Sequence, residues 1–163
     1  MAQITRRNAL LAGLALTGIA SAVSWDTSDD DRPLEPKRFE EIVGFEVAEV
    51  VTRHPLAILP LGNLEFDGPH NPLGADSIVI SGIAERVGTR TGGLSFPAIK
   101  FAQCPAHTAH FQGTASVRPE VMTLYYADVF RNILRIGFRE IFILNGHDGN
   151  IGPGRGAIAQ VAD

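Results

Sequence analysis

Leu56-Ala57-Ile58-Leu59-Pro60-Leu61 runs directly into Gly62-Asn63-Leu64-Glu65-Phe66-Asp67-Gly68-Pro69-His70-Asn71-Pro72-Leu73-Gly74-Ala75-Asp76. The first six residues are apolar throughout, the pattern of a short strand buried on both faces. Glycines and prolines then break the chain, and Glu65, Asp67, His70 and Asp76 fall within twelve residues. From Asp76 to about Val87, the residues Ile78, Ile80, Ile83, Ala84 and Val87 supply a buried stripe at helical spacing, and Gly88 is a stop signal. Carboxylates gathered on a loop after a buried strand are costly unless a cation or a substrate neutralises them. Two plainer readings stand beside that one. The loop can be a solvated acidic turn, and Asp76 alone reads more readily as a helix N-cap than as a ligand.

A second polar loop has the same placement. Ile141-Phe142-Ile143-Leu144 reads as a fully apolar strand and passes into Asn145-Gly146-His147-Asp148-Gly149-Asn150. Between the two loops, Leu94 to Phe101 reads as another strand, followed by a loop that carries Cys104, His107 and His110. Cys104, beside a proline and with no base pattern near it, reads as a small buried residue. Pro119 at a first helical position opens a helix to about Ile136, with Met122, Tyr126, Val129, Phe130, Ile133 and Leu134 on its core face. Gly137 ends it. Upstream, Arg38 to about Arg53 has helical spacing that Gly44 divides, and His54-Pro55 stops it. Downstream, a glycine-rich tail turns helical near Ala157. The alternation predicts an α/β fold with a largely parallel sheet. The carboxyl ends of its strands share one edge, where Glu65, Asp76 and His147 can converge.

The chain has 163 residues, enough for one domain with a real core. A formal charge of −4 and no Lys/Arg cluster beyond the first residues argue against nucleic acid as a partner. Cys104 is the single cysteine, so an intramolecular disulfide is excluded and a metal here needs carboxylate and imidazole donors. Arg6-Arg7 precedes an apolar run to about Ala20, and Ala20-Ser21-Ala22 matches a small-x-small cleavage site. Residues 1–22 thus read as a twin-arginine export signal, which predicts a periplasmic protein with no stable membrane anchor after processing. A plain secretory signal or a short anchor is the alternative, though the run is shorter than the roughly 20 residues of a comfortable span. Its removal takes Arg6 and Arg7 and no acid, moving the charge from −4 to −6. Residues 23–37 read as a polar, acidic linker, and 38–163 as the folded domain.

Leu59-Pro60-Leu61-Gly62, with Glu65, Gly68-Pro69-His70, Pro72-Leu73-Gly74 and Asp76, resembles the first signature of the creatininase (creatinine amidohydrolase) family. His110-Phe111-Gln112-Gly113-Thr114 is similar to that family's FPGT segment, and Asn145–Asn150 to its NGHGGN segment. The resemblance implies a three-layer α/β/α sandwich, often assembled as homo-oligomers. It also implies metal-dependent hydrolysis of a cyclic or small linear amide, with water as the nucleophile between two divalent ions, commonly zinc, manganese or iron. Carried over by position, Glu65, Asp76 and His147 match metal ligands, with Asp76 as the bridging aspartate. Asp67 stands where the family has a histidine, and a carboxylate there shifts preference toward harder ions such as manganese or magnesium. Asp148 is a further candidate donor. Gly149 stands where creatininase itself has a glutamate ligand, so one or two ions per chain are expected. His70, His110, Asn145 and Asn150 are candidates for substrate contact or for supporting the ligands. Family members continue well past the NGHGGN segment, so the C-terminal part of the fold is expected to be missing. The chain then reads as a piece of a longer enzyme, or as a truncated relative that binds metal or a small ligand without turnover.

Overall fold

The computed structural model describes residues 38–162 and, as backbone, Ala2–Thr5. Four strands make one open sheet in the order β1-β4-β2-β3, where β1 is Ala2–Thr5, β2 Leu56–Leu61, β3 Leu94–Ser95 and β4 Glu140–Asn145. β2 pairs in parallel with both neighbours, Ala57 lying opposite Leu94 on one side and Ile141 on the other. β1 runs antiparallel along β4, with Ala2 opposite Ile143. The helices are α1 (Val47–Arg53), α2 (Ala75–Thr91), α3 (Pro119–Ile136) and α4 (Ile151–Ala162). None of the helices among the described residues is long and apolar enough to cross a membrane.

Alternation along β2 and β4 builds two cores. Ala57, Leu59, Leu61, Ile141 and Ile143 face one way, against Val51 of α1, Tyr126, Phe130 and Ile133 of α3, and Ala157 of α4. Ile58 and Leu144 face the other way, against Ile80 and Ala84 of α2. Helices therefore cover both faces of the sheet in three layers. Phe130 and Phe138 are fully enclosed, each stabilising the fold by about 1.5–3 kcal/mol. From β2 the chain crosses through α2 to β3 on one side, then returns through α3 to β4 on the other. The two connections diverge between β2 and β4, and a crevice opens beyond their carboxyl ends.

Several elements depart from the sequence reading. The 38–53 segment is two short 3-10 turns, Phe39–Glu41 and Gly44–Glu46, before α1. The strand expected over Leu94 to Phe101 is only two residues long. Pro97 cannot donate to the ladder, and pairing resumes past it when Ile99 N donates to Pro60 O (3.0 Å). Pro60 is tolerated in a central strand for the same reason. Its carbonyl faces β3, its missing N–H would face the same side, and the ladder is already broken there. α4 begins at Ile151, well before Ala157. Pro153 lies in its first turn, where no intrahelical N–H is needed. A Cβ at position 156 would stand 3.0 Å from Thr123 Cγ2, so Gly156 lets α4 approach α3 closely. α3 and Gly137 follow the sequence reading, with Pro119 at its first position and the Gly137 N–H bonded to Leu134 O. Of the expected export signal, only Ala2–Thr5 is described. Its arginine pair, apolar run and cleavage site, and the whole 23–37 linker with them, lie outside the described residues.

Candidate metal centre

Two close approaches bring the strand ends and α2 together. A Cβ at position 62 would lie 2.5 Å from Ser77 Cα, and one at position 146 would lie 2.9 Å from Ile80 Cβ. Gly62 and Gly146 therefore let the starts of both loops pack against the first turns of α2. Asp76 is the second residue of that helix, and Gly74, not Asp76, is its N-cap residue. The cap expectation fails because the Asp76 carboxylate is turned instead toward His147.

His147 is the centre of the arrangement. Its Nδ1 lies 2.8 Å from Glu65 Oε1 and 3.0 Å from Asp76 Oδ2. Its Nε2 lies 3.0 Å from the Gln103 carbonyl oxygen. A carbonyl can only accept, so Nε2 carries the proton and Nδ1 presents a lone pair to two carboxylate oxygens. Glu65 and His147 are both buried. Lone pair against carboxylates in a buried site is favourable only with a cation among them. A single proton would leave the site strongly negative, because Asp67 also brings an oxygen within 4.8 Å of those of Glu65 and Asp76. A divalent ion fits this oxygen and nitrogen donor set. Burial pushes the Asp76 carboxyl above its usual range, and the neighbouring Asp67 and Glu65 carboxylates add to the shift.

The donors are held from behind. Thr108 Oγ1 donates to Glu65 Oε2 (2.9 Å). Asn150 Nδ2 donates to Gly62 O (3.1 Å) and to Asn145 Oδ1 (3.2 Å), and Asn145 Oδ1 also accepts from His147 N (3.3 Å). Tyr126 OH donates to Asn150 Oδ1 (2.7 Å), which ties the loop to α3. Burial pushes the Tyr126 phenol upward, so it stays a neutral donor. Asn145 and Asn150 thus support the loop that carries His147. A cleft of about 450 Å³ opens over the donors, lined by Glu65, Asp67, Asp76, Asn145, His147 and Asp148 together with Pro105, His107, Thr108 and Gly146.

The other expected residues separate into two groups. Asp67 and Asp148 reach the cleft but are exposed. His70 and His110 are exposed and do not line it; the His110 ring packs on Phe111 at 4.4 Å. The histidine of that loop that does line the cleft is His107. Gln103, Asn63 and Cys104 are additions. Gln103 acts through its carbonyl, which no residue type reveals. Asn63 is buried in the first signature, and its Nδ2 donates to Cys104 Sγ (2.9 Å). Gly149 is fixed by space: a Cβ there would overlap the Gln103 carbonyl oxygen and stand 2.6 Å from His147 Nε2. No side chain, a glutamate included, fits at 149 while that carbonyl holds the imidazole.

Comparison with known proteins agrees with this geometry. Residues 40–163 match the family model described as creatininase, creatinine amidohydrolase. The chain is 30% identical over 109 residues to a 3-dehydro-scyllo-inosose hydrolase of Thermotoga maritima, covering 67% of this chain and 35% of that one. It is 30% identical over 104 residues to a creatinine amidohydrolase of Pseudomonas putida, covering 61% and 40%. A crystal structure of creatininase superimposes with a TM-score of 0.74 at 25% identity, covering 78% of this chain and 51% of that one. A creatininase structure described as the Mn form superimposes at 0.71 and a mutant described as Zn-Zn type at 0.67; each is 26% identical and covers 76% of this chain and 50% of the other. The chain spans less than half the length of those two curated relatives and about half that of the structures. A family model covering three quarters of the sequence, over a fold and a donor cluster of this form, places the chain in the creatininase family.

Proposed function

We propose that the chain carries the metal-binding half of an amidohydrolase that cuts a cyclic or small linear amide. The observation that carries this reading is His147 Nδ1 lodged between the Glu65 and Asp76 oxygens. Glu65, Asp76 and His147 would hold a divalent ion, zinc or manganese by analogy with the creatininase structures and iron by chemistry, with Asp67 as the donor for a second. Such an ion supplies Lewis acidity, polarising a carbonyl oxygen and acidifying water. The rest is the work of this chain's own groups. The Gln103 carbonyl keeps the His147 proton on Nε2, and Thr108 orients Glu65. His107 and Asp148 line the cleft outside the ligand set, so they are the groups placed to take up or give a proton there. The twin-arginine motif supports export to the periplasm, and Ile78, Val79 and Ile83, exposed on α2, supply apolar surface suited to a homo-oligomer.

A second reading, metal binding without turnover, is favoured by Asp67, a shorter and harder donor than the histidine of the family pattern. One experiment separates the two. Metal content of the purified chain is measured after loading with zinc, manganese or iron, and the loaded protein is assayed against a panel of cyclic and linear amides. Bound metal with amide cleavage supports the hydrolase. Bound metal with no cleavage across the panel supports the second reading, and no bound metal sinks both.

A further inference from the structure

The donor set extends behind the cleft. A Glu65 carboxylate oxygen, a His147 ring nitrogen and Cys104 Sγ all lie within 4.8 Å of one another, and all three residues are buried. Cys104 is the single cysteine of the sequence and is a free, buried thiol. Its loop is pinned on the opposite side, where Cys104 N donates to Ser116 Oγ (3.0 Å).

The polar surroundings of the sulfur are one-sided. Asn63 Nδ2 donates to it at 2.9 Å, while its own acceptor, Ala115 O, is 3.9 Å away. Sulfur that receives a short N–H bond and gives only a long one is arranged as an electron-pair donor. Asn63 is itself fully enclosed, and its carboxamide also lies 3.2 Å from His147 Nε2. The buried side of the site therefore gathers imidazole, carboxylate and sulfur, while the exposed rim carries Asp67, Asp148 and His107.

We propose that Cys104 is a sulfur ligand which, with Glu65 and His147, selects a borderline-soft divalent ion such as zinc over manganese at the inner position. The inference rests on the metal-centre reading above and adds a donor to it. Imidazole and carboxylate serve both metals, whereas thiolate favours zinc and cobalt(II) over manganese.

Cobalt(II) substitution of the full chain tests it, because cobalt reports its ligands in absorption. Visible ligand-field bands together with a near-ultraviolet sulfur-to-cobalt charge-transfer band are expected, and Cys104→Ser should abolish the second while keeping the first. The same substitution should lower zinc affinity on the order of tenfold or more and leave manganese affinity within twofold. Visible bands with no charge-transfer band, or one that persists in Cys104→Ser, overturn the sulfur ligand and leave the metal centre standing. Absence of cobalt bands altogether overturns both.

Discussion

Glu65 and His147, on the inner wall of the cleft, are buried and held by Thr108 and by the Gln103 carbonyl. Asp67, His107 and Asp148, on the rim of the same cleft, are exposed. Both regions carry metal-binding residue types, yet the physics differs. On the wall, desolvation makes each electrostatic interaction stronger and each unpaired group costly, so geometry is fixed by backbone packing. On the rim, water screens the charges, and a carboxylate contributes charge with little positional control. The contrast teaches that ligand count is a poor guide here. What decides the site is which donors the fold cannot move.

The strongest way to break that contrast is Gly149→Ala. Its Cβ would collide with the Gln103 carbonyl, which is backbone and cannot rotate aside. We expect a loss of stability of about 1–3 kcal/mol and a fall in metal affinity of roughly 10–100-fold, the usual effect of disturbing what orients a ligand histidine. Gly152→Ala, three residues on in the first turn of α4, has open space around it and should gain up to about 1 kcal/mol from helix propensity. Urea unfolding and calorimetric metal titration of both variants read the difference. Equal behaviour of the two would show that the wall is not rigid.

Much of this was legible in the sequence, for identifiable reasons. Leu56–Leu61 and Ile141–Leu144 are apolar because β2 and β4 are covered on both faces, and α3 announces itself through Pro119, a helical stripe and Gly137. Glu65, Asp76 and His147 are legible as a set because two polar loops follow two apolar strands and because their spacing resembles the creatininase signatures. Other features were hidden. Gln103 serves through a carbonyl that every residue possesses. Asp76 looked like a cap because its position near a helix start is right, and only the approach of His147 shows where its side chain goes. Gly152, Pro153, Gly154 and Gly156 masked the start of α4, since local propensity cannot register the packing of Gly156 on Thr123. His107 and His110 are three residues apart in a loop without period, so sequence could not say which one faces the cleft.

Acid titration gives a second, intermediate test. Burial raises the Asp76 carboxyl above its usual 3.8, so the native state keeps a proton that the unfolded chain has already released. In the metal-free protein, the stability associated with this group is complete below pH 3.8 and declines as pH rises through the elevated folded value. A bound ion favours the ionised form and acts in the opposite direction, so the increase in Tm on adding metal should grow through the same window. Thermal unfolding against pH, with and without zinc, measures both slopes. Asp76→Asn should flatten the metal-free slope and shrink the metal-induced rise. If Asp76→Asn leaves both curves unchanged, Asp76 belongs with the rim, not the wall.

Asp67 offers the smallest effect and the finest discrimination. Its carboxylate lies within 4.8 Å of those of Glu65 and Asp76, but it is exposed, so water weakens its hold on an ion and its repulsion of its neighbours alike. Asp67→Asn removes the charge and keeps the size; the expected change in affinity for the tighter-bound ion is within about 1 kcal/mol, roughly fivefold. Asp67→His adds a nitrogen donor in place of a hard oxygen, so it should raise zinc bound per chain and lower manganese under competition for a second position. Metal content of the two variants, measured side by side at equal zinc and manganese, separates charge from donor type. A loss in Asp67→Asn as deep as that expected for Gly149→Ala would mean that the rim holds the ion as firmly as the wall, and exposure would no longer distinguish the two regions.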